Sequence, residues 1–171
     1  MPPLGLLVVG LALVMVDVNI DSFDLVPDLI GWPIALVGLG RLAGRSPWFL
    51  LAAGSAVVGL AVSALHVVGA AGSLLGLLDA LSGTGVVFGT CSAIIALVEA
   101  PEPRRTANLI RWWDLGLVVV AMASLPVLGA DLGALAIVLV VLALAVAVWF
   151  MVFCWKQRHR PELMAAAVHA A

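Results

Sequence analysis

Tyrosine is absent, lysine occurs once, and charged residues make up only 11% of the chain. A soluble domain carries about a quarter charged residues, so a fully solvated surface is excluded. The few bases are scattered singly or in short groups among apolar runs, which leaves no basic patch for nucleic acid. Cysteine is scarce too. Cys91 and Cys154 lie in different apolar runs without a C-x-x-C neighbour, which argues against a redox motif, a zinc ribbon or a disulfide scaffold. G-x-S-x-G, H-E-x-x-H and the phosphate-binding P-loop are all missing. No internal repeat is clear.

What is abundant is apolar: 64% of the 171 residues are hydrophobic. A membrane-spanning helix needs about 20 mostly apolar residues, and six segments come close, at 3–20, 27–43, 48–69, 73–98, 109–128 and 132–155. The expected fold is all-α, a single integral membrane bundle over residues 1–171 with short connections between antiparallel neighbours. The start, Met1-Pro-Pro-Leu-Gly, lacks a basic n-region, so the first run is expected to be a membrane helix and not a signal peptide. Gly31–Pro33 in the second segment and Ser82-Gly83-Thr84-Gly85 in the fourth are the two places where a helix could break. Gly85-x-x-x-Gly89 followed by Ser92 equally carries the small-residue signature of close helix packing. Two further Gly-x-x-x-Gly pairs, Gly40/Gly44 and Gly129/Gly133, offer themselves to partner helices. The tail 161–171 is expected to fray.

Arg41 and Arg45, then Arg104, Arg105 and Arg111, then Lys156, Arg158 and Arg160 all fall on one side of a six-span bundle. By the positive-inside rule that side is the cytoplasm, and both termini lie there. The opposite side collects Asp17, Asp21, Asp24, Asp28, Asp79 and Asp131 with no base. Trp48, Trp112, Trp113, Trp149 and Trp155 sit beside the bases, where an aromatic belt belongs. The bias to Arg, Ala, Gly, Val and Leu points to a bacterial chain and hence to the bacterial cytoplasmic (inner) membrane.

The densest polar feature is Asp17-Val-Asn-Ile-Asp21-Ser-Phe-Asp24-Leu-Val-Pro27-Asp28. Four carboxylates converging at a bilayer would suit a hard divalent cation such as Mg²⁺ or Ca²⁺. A plainer account covers most of them: Pro27 suits the first turn of a helix, Asp28 faces the positive end of its dipole, and Asp24 can cap it. Asp17 has no such account, because it falls within the first apolar run. If it is functional it points into the bundle, toward His66 or Asp79. His66 ends the third segment and Asp79 lies early in the fourth. Across one short turn they can form a metal- or proton-handling pair, or a plain interhelical contact. The candidate metal ligands are thus Asp17, Asp21, Asp24, Asp28, His66 and Asp79. Asp114 follows Arg111 by three residues, and the two are expected to pair at the cytoplasmic interface.

Asp21, Asp24 and Asp28 in D-x-x-D-x-x-x-D spacing resemble the first aspartate-rich motif of the UbiA-type prenyltransferases. That resemblance implies Mg²⁺ and a prenyl diphosphate held between two such motifs, although only one is present here. The run Phe23-Asp-Leu-Val-Pro-Asp-Leu-Ile-Gly-Trp32 resembles a pattern of small uncharacterised bacterial multi-pass membrane proteins, which implies a structural role for Pro27, Asp28 and Gly31. Three functional expectations follow. The first is cation binding or transport through the extracytoplasmic Asp cluster. The second is a non-catalytic accessory or assembly subunit, and the third a Mg-dependent prenyl- or lipid-diphosphate enzyme. The expected partners are the lipid bilayer and a second copy or another membrane protein, with no nucleic acid. Orientation is directly testable. In a chain lacking Cys91 and Cys154, an impermeant thiol reagent added outside cells should label Ser22→Cys and spare Ser46→Cys; the reverse pattern would invert the topology.

Overall fold

The structure, a computed structural model, describes residues 1–15, 26–128 and 133–164. Six helices run through them: α1 (Pro3–Met15), α2 (Val26–Leu42), α3 (Pro47–Val67), α4 (Ser73–Leu97), α5 (Pro101–Leu128) and α6 (Gly133–Gln157), with a 3₁₀ turn at Pro161–Leu163. The described residues contain no strand. Pro47–Val67, Ser73–Leu97 and Leu135–Gln157 are each long and apolar enough to cross a membrane.

The ends of these helices have local causes. Proline stands at or near the first position of α1, α3 and α5, where its missing N–H has no helical partner to lose. Ser46 caps α3, its hydroxyl oxygen accepting the Trp48 N–H at 3.4 Å. At the other end of α3, Gly69 takes φ +81°. Its N–H reaches His66 O at 2.9 Å, and the Ala70 N–H reaches Leu65 O at 3.0 Å. This pair of bonds is a Schellman cap, which needs a residue at ease in the left-handed region. It turns the chain sharply into α4.

Several expectations are corrected along the chain. The fifth helix begins at Pro101 instead of residue 109, about two turns sooner. Pro103, Ala107 and Ile110 are buried at helical spacing while Arg104 and Arg105 face outward, so an amphipathic start precedes the apolar part. The tail does not fray at once, because Leu163 is fully buried and its turn packs on α4. Neither suspected break occurs: α2 runs on through Pro33 and α4 through Ser82–Gly85. Gly44 lies in the turn after α2, so Gly40 and Gly44 do not form a helical face.

Each helix packs on its sequence neighbours, and α6 returns to α1, so the six helices form a closed ring. Two seams in the ring are very tight. A methyl group on Gly10 would lie 2.5 Å from the Gly31 carbonyl oxygen, and one on Gly38 would lie 2.6 Å from that of Pro3. Across the α3–α4 seam, a methyl on Gly89 would meet the Trp48 carbonyl oxygen at 2.7 Å, and one on Gly85 would overlap Ser55. Backbones this close gain dispersion contacts, which replace the hydrophobic effect as the force between helices in lipid. The position of α6 is different. Only 11% of its most apolar stretch is buried, against 56% for α4.

One end of the bundle is basic. The α2–α3 turn with Arg45, the start of α5 with Arg104 and Arg105, and the end of α6 with Lys156 all lie there. Arg158 reaches Gly5 of α1 at the same end. The seams predict a contrast in stability. Gly89→Val should destabilise the detergent-solubilised protein by about 1–3 kcal/mol, the usual cost of overpacking. Gly54→Val, where the added carbon meets nothing within 4 Å, should shift unfolding little. Thermal unfolding followed by circular dichroism would compare them.

Candidate functional site: an acidic cavity within the helix ring

Asp114 is the residue whose position changes most from expectation. Because α5 starts at Pro101, Asp114 falls halfway along a 28-residue helix. It lies within hydrogen-bonding reach of the Thr84 hydroxyl, itself midway along the 25-residue α4. Its expected partner Arg111 turns elsewhere. The Arg111 Nη1 donates to Ser92 Oγ at 3.3 Å. Its guanidinium carbon lies 5.5 Å from the Phe88 ring centre and 5.4 Å from that of Trp112. Phe88 also meets Trp48 edge-on at 6.2 Å and Trp112 at 6.3 Å. The cation is thus held in an aromatic girdle, a setting that suits guanidinium. The carboxylate is left facing the interior of the ring.

Between α1, α2, α4, α5 and α6 lies a partly open cavity of about 430 Å³, with Asp79 exposed at its edge. Asp79, Ala80, Gly83, Thr84 and Val87 supply one face of α4, at the spacing that brings residues onto one side of a helix. Asp114 and Val118 come from α5, Leu11, Val14 and Met15 from α1, Trp32 from α2, and residues from Val140 to Met151 from α6. Thr84 is five residues beyond Asp79, about 7 Å of helix rise. Asp79 and the Thr84–Asp114 contact therefore stand at different levels along α4. Oδ2 of Asp114 and the indole Nε1–H of Trp32 are buried without hydrogen-bond partners. Such groups are costly in a low-dielectric interior unless something meets them. Neighbouring hydroxyls behave differently: Ser82 Oγ donates to Asp79 O at 2.7 Å and Ser124 Oγ to Ala121 O at 2.8 Å, each satisfied by its own helix.

Of the six residues expected to bind metal, Asp17, Asp21 and Asp24 lie outside the described residues. Asp28 stands in the first turn of α2. His66 lies near enough to Asp79 to act on its carboxylate electrostatically across the α3–α4 turn, without an ion pair or hydrogen bond between the two side chains. Among the described residues, no group of three or more His, Cys, Asp or Glu side chains converges as a metal site. Sequence reasoning missed Asp114, Thr84 and Trp32 as site residues. The signal for Asp114 was present, an acid inside an apolar helix. No family model matches the chain, and no characterised protein or solved structure is significantly similar to it.

The cavity's charge predicts its reactivity. A Gly83→Cys thiol on this wall should react faster with a cationic methanethiosulfonate than with an anionic one. The ratio should be about tenfold, because two carboxylates raise the local cation concentration. Asp114→Asn should shrink that ratio, and equal rates in the unaltered background would show that the carboxylates do not face the cavity.

Proposed function

We propose that this chain is a six-span membrane protein that binds and moves a cation through Asp79 and Asp114. The observation that carries the proposal is the sharing of one cavity by two carboxylates, one of them halfway along its helix. An ionisable residue at that depth is rare without a role in a substrate or ion path. On this reading the bases mark the cytoplasmic side, both termini lie there, and the membrane is the bacterial inner membrane. Asp17, Asp21, Asp24 and Asp28 then gather cations at the extracytoplasmic end, and the His66–Asp79 pair stands between them and Asp114. A divalent cation remains one candidate for the outer cluster.

A second reading is supported by α6, whose outward apolar face suits a partner helix: that of an accessory subunit, in contact with a second copy or another membrane protein. The prenyl-diphosphate reading rests on Asp21, Asp24 and Asp28 alone, and no Lys or Arg lines the cavity to receive a diphosphate. Proteoliposomes with imposed cation and proton gradients separate these. Purified protein should carry cation flux, Asp79→Asn and Asp114→Asn should each lower it at least about tenfold, and Glu99→Gln, in an exposed loop, should not change it. Flux that survives both cavity variants would remove the cavity from the path. No flux at all would favour the accessory subunit.

A further inference from the structure

We propose that a second cleft, between the start of α5 and the end of α6, holds an anionic phospholipid of the surrounding membrane, with its phosphodiester between Lys156 and Arg160. The inference is independent of the central cavity and needs only α6 as a membrane span. The cleft measures about 370 Å³ and is lined by Glu102 and Thr106 of α5, by Trp149, Val152 and Lys156 of α6, and by Arg160 just beyond that helix. A space of this size suits a small polar group, so it takes a headgroup and leaves the acyl chains in the bilayer. Its position agrees. Leu135–Gln157 is long and apolar enough to cross a membrane, which puts Lys156 at the level of the headgroups.

The lining has free cationic donors. Lys156 is exposed and makes no hydrogen bond or ion pair among the described residues. Arg160 is half-buried, and its Nε–H donates to Gln157 Oε1. That bond orients the guanidinium and leaves its Nη–H groups for phosphate oxygens, which they match as a fork. The Thr106 hydroxyl is already spent, donating to Glu102 O at 3.1 Å. Glu102 is the one acid in the lining, so two bases against one acid leave a single net positive charge. Phosphatidylglycerol carries one negative charge in its headgroup, whereas phosphatidylethanolamine carries none overall. The apolar wall decides between a lipid and a free phosphate ester. Trp149 and Val152 are 39% and 47% exposed, and Trp149 lies two turns before Lys156, about 10 Å deeper in the bilayer. An acyl chain descending from the phosphate covers both, and a soluble ester covers neither. Basic pockets beside spanning helices take lipid headgroups in this way.

The test is native mass spectrometry of the full chain, released from detergent with added lipids of matched acyl chains. Variants are compared as monodisperse protein with native helicity. The first phosphatidylglycerol should bind at least about tenfold more tightly than phosphatidylethanolamine, because its net charge complements that of the cleft. Lys156→Gln and Arg160→Gln should each weaken it about fivefold, the effect of one base near a membrane surface. Glu102→Gln should strengthen it. Arg104→Gln removes an exposed base from the same end of the bundle but outside the cleft, and it should change nothing. Millimolar glycerol 3-phosphate, which has the phosphate without acyl chains, should not displace the lipid. Equal affinity for the two lipids, or an equal loss on Arg104→Gln, would reduce the cleft to diffuse attraction by a basic surface and overturn the proposal. Displacement by glycerol 3-phosphate would make it a site for a soluble phosphate ester and overturn the lipid assignment.

Discussion

The architecture depends on close backbone contact through glycine. In lipid, apolar side chains gain little by leaving hydrocarbon for one another, so helices associate where their surfaces fit best. Gly10, Gly31 and Gly38 join α1 to α2, and Gly85 and Gly89 join α3 to α4, at separations that admit no side chain. Gly59 plays a related part by receiving the Trp32 ring, which docks one tight pair against the other. The looser contacts of α5 and α6 complete the ring. The cavity forms where tightly sealed hairpins meet loosely held helices, so its volume is set by the unequal packing around it.

Polar groups follow a matching division. Some serines and threonines along the helices are silenced by their own carbonyls, as Ser82, Ser124 and Thr106 are. Arg111 is held by a hydroxyl and two rings, with its Nε–H left without a partner. Had Arg111 paired with Asp114, each would have cancelled the other at the membrane surface. The girdle of Trp48, Phe88 and Trp112 takes the cation instead, and the acid is released to the interior.

Much of the fold was legible in the sequence because runs of apolar residues and the prolines and serines between them are local signals. Ser46-Pro47 announces a helix start, and Gly69 a helix end, whatever surrounds them. Asp114 does not meet its expected partner Arg111 for an equally physical reason. Pro101-Glu-Pro-Arg-Arg reads as a polar connection, yet Pro103, Ala107 and Ile110 form a buried stripe once α4 lies alongside. Two additional turns lengthen α5 on its N-terminal side and leave Asp114 at the middle of the helix. Which way Arg111 would turn depended on Phe88 and Ser92, about twenty residues away in sequence. The three acids of the 17–24 stretch fall outside the described residues, and their role is carried by the proposal alone.

The capped α3–α4 turn has a consequence for biosynthesis. Its helices are joined by five residues, Val68–Gly72, and sealed along Gly85 and Gly89. The hairpin can therefore enter the bilayer as a unit before α5 has left the ribosome. When α5 packs on α4, Thr84 is already in place midway along its helix, so the Asp114 carboxyl meets a prepared polar neighbour. Chain order and polar pairing are matched: the helix that needs a partner is made after the helix that provides one.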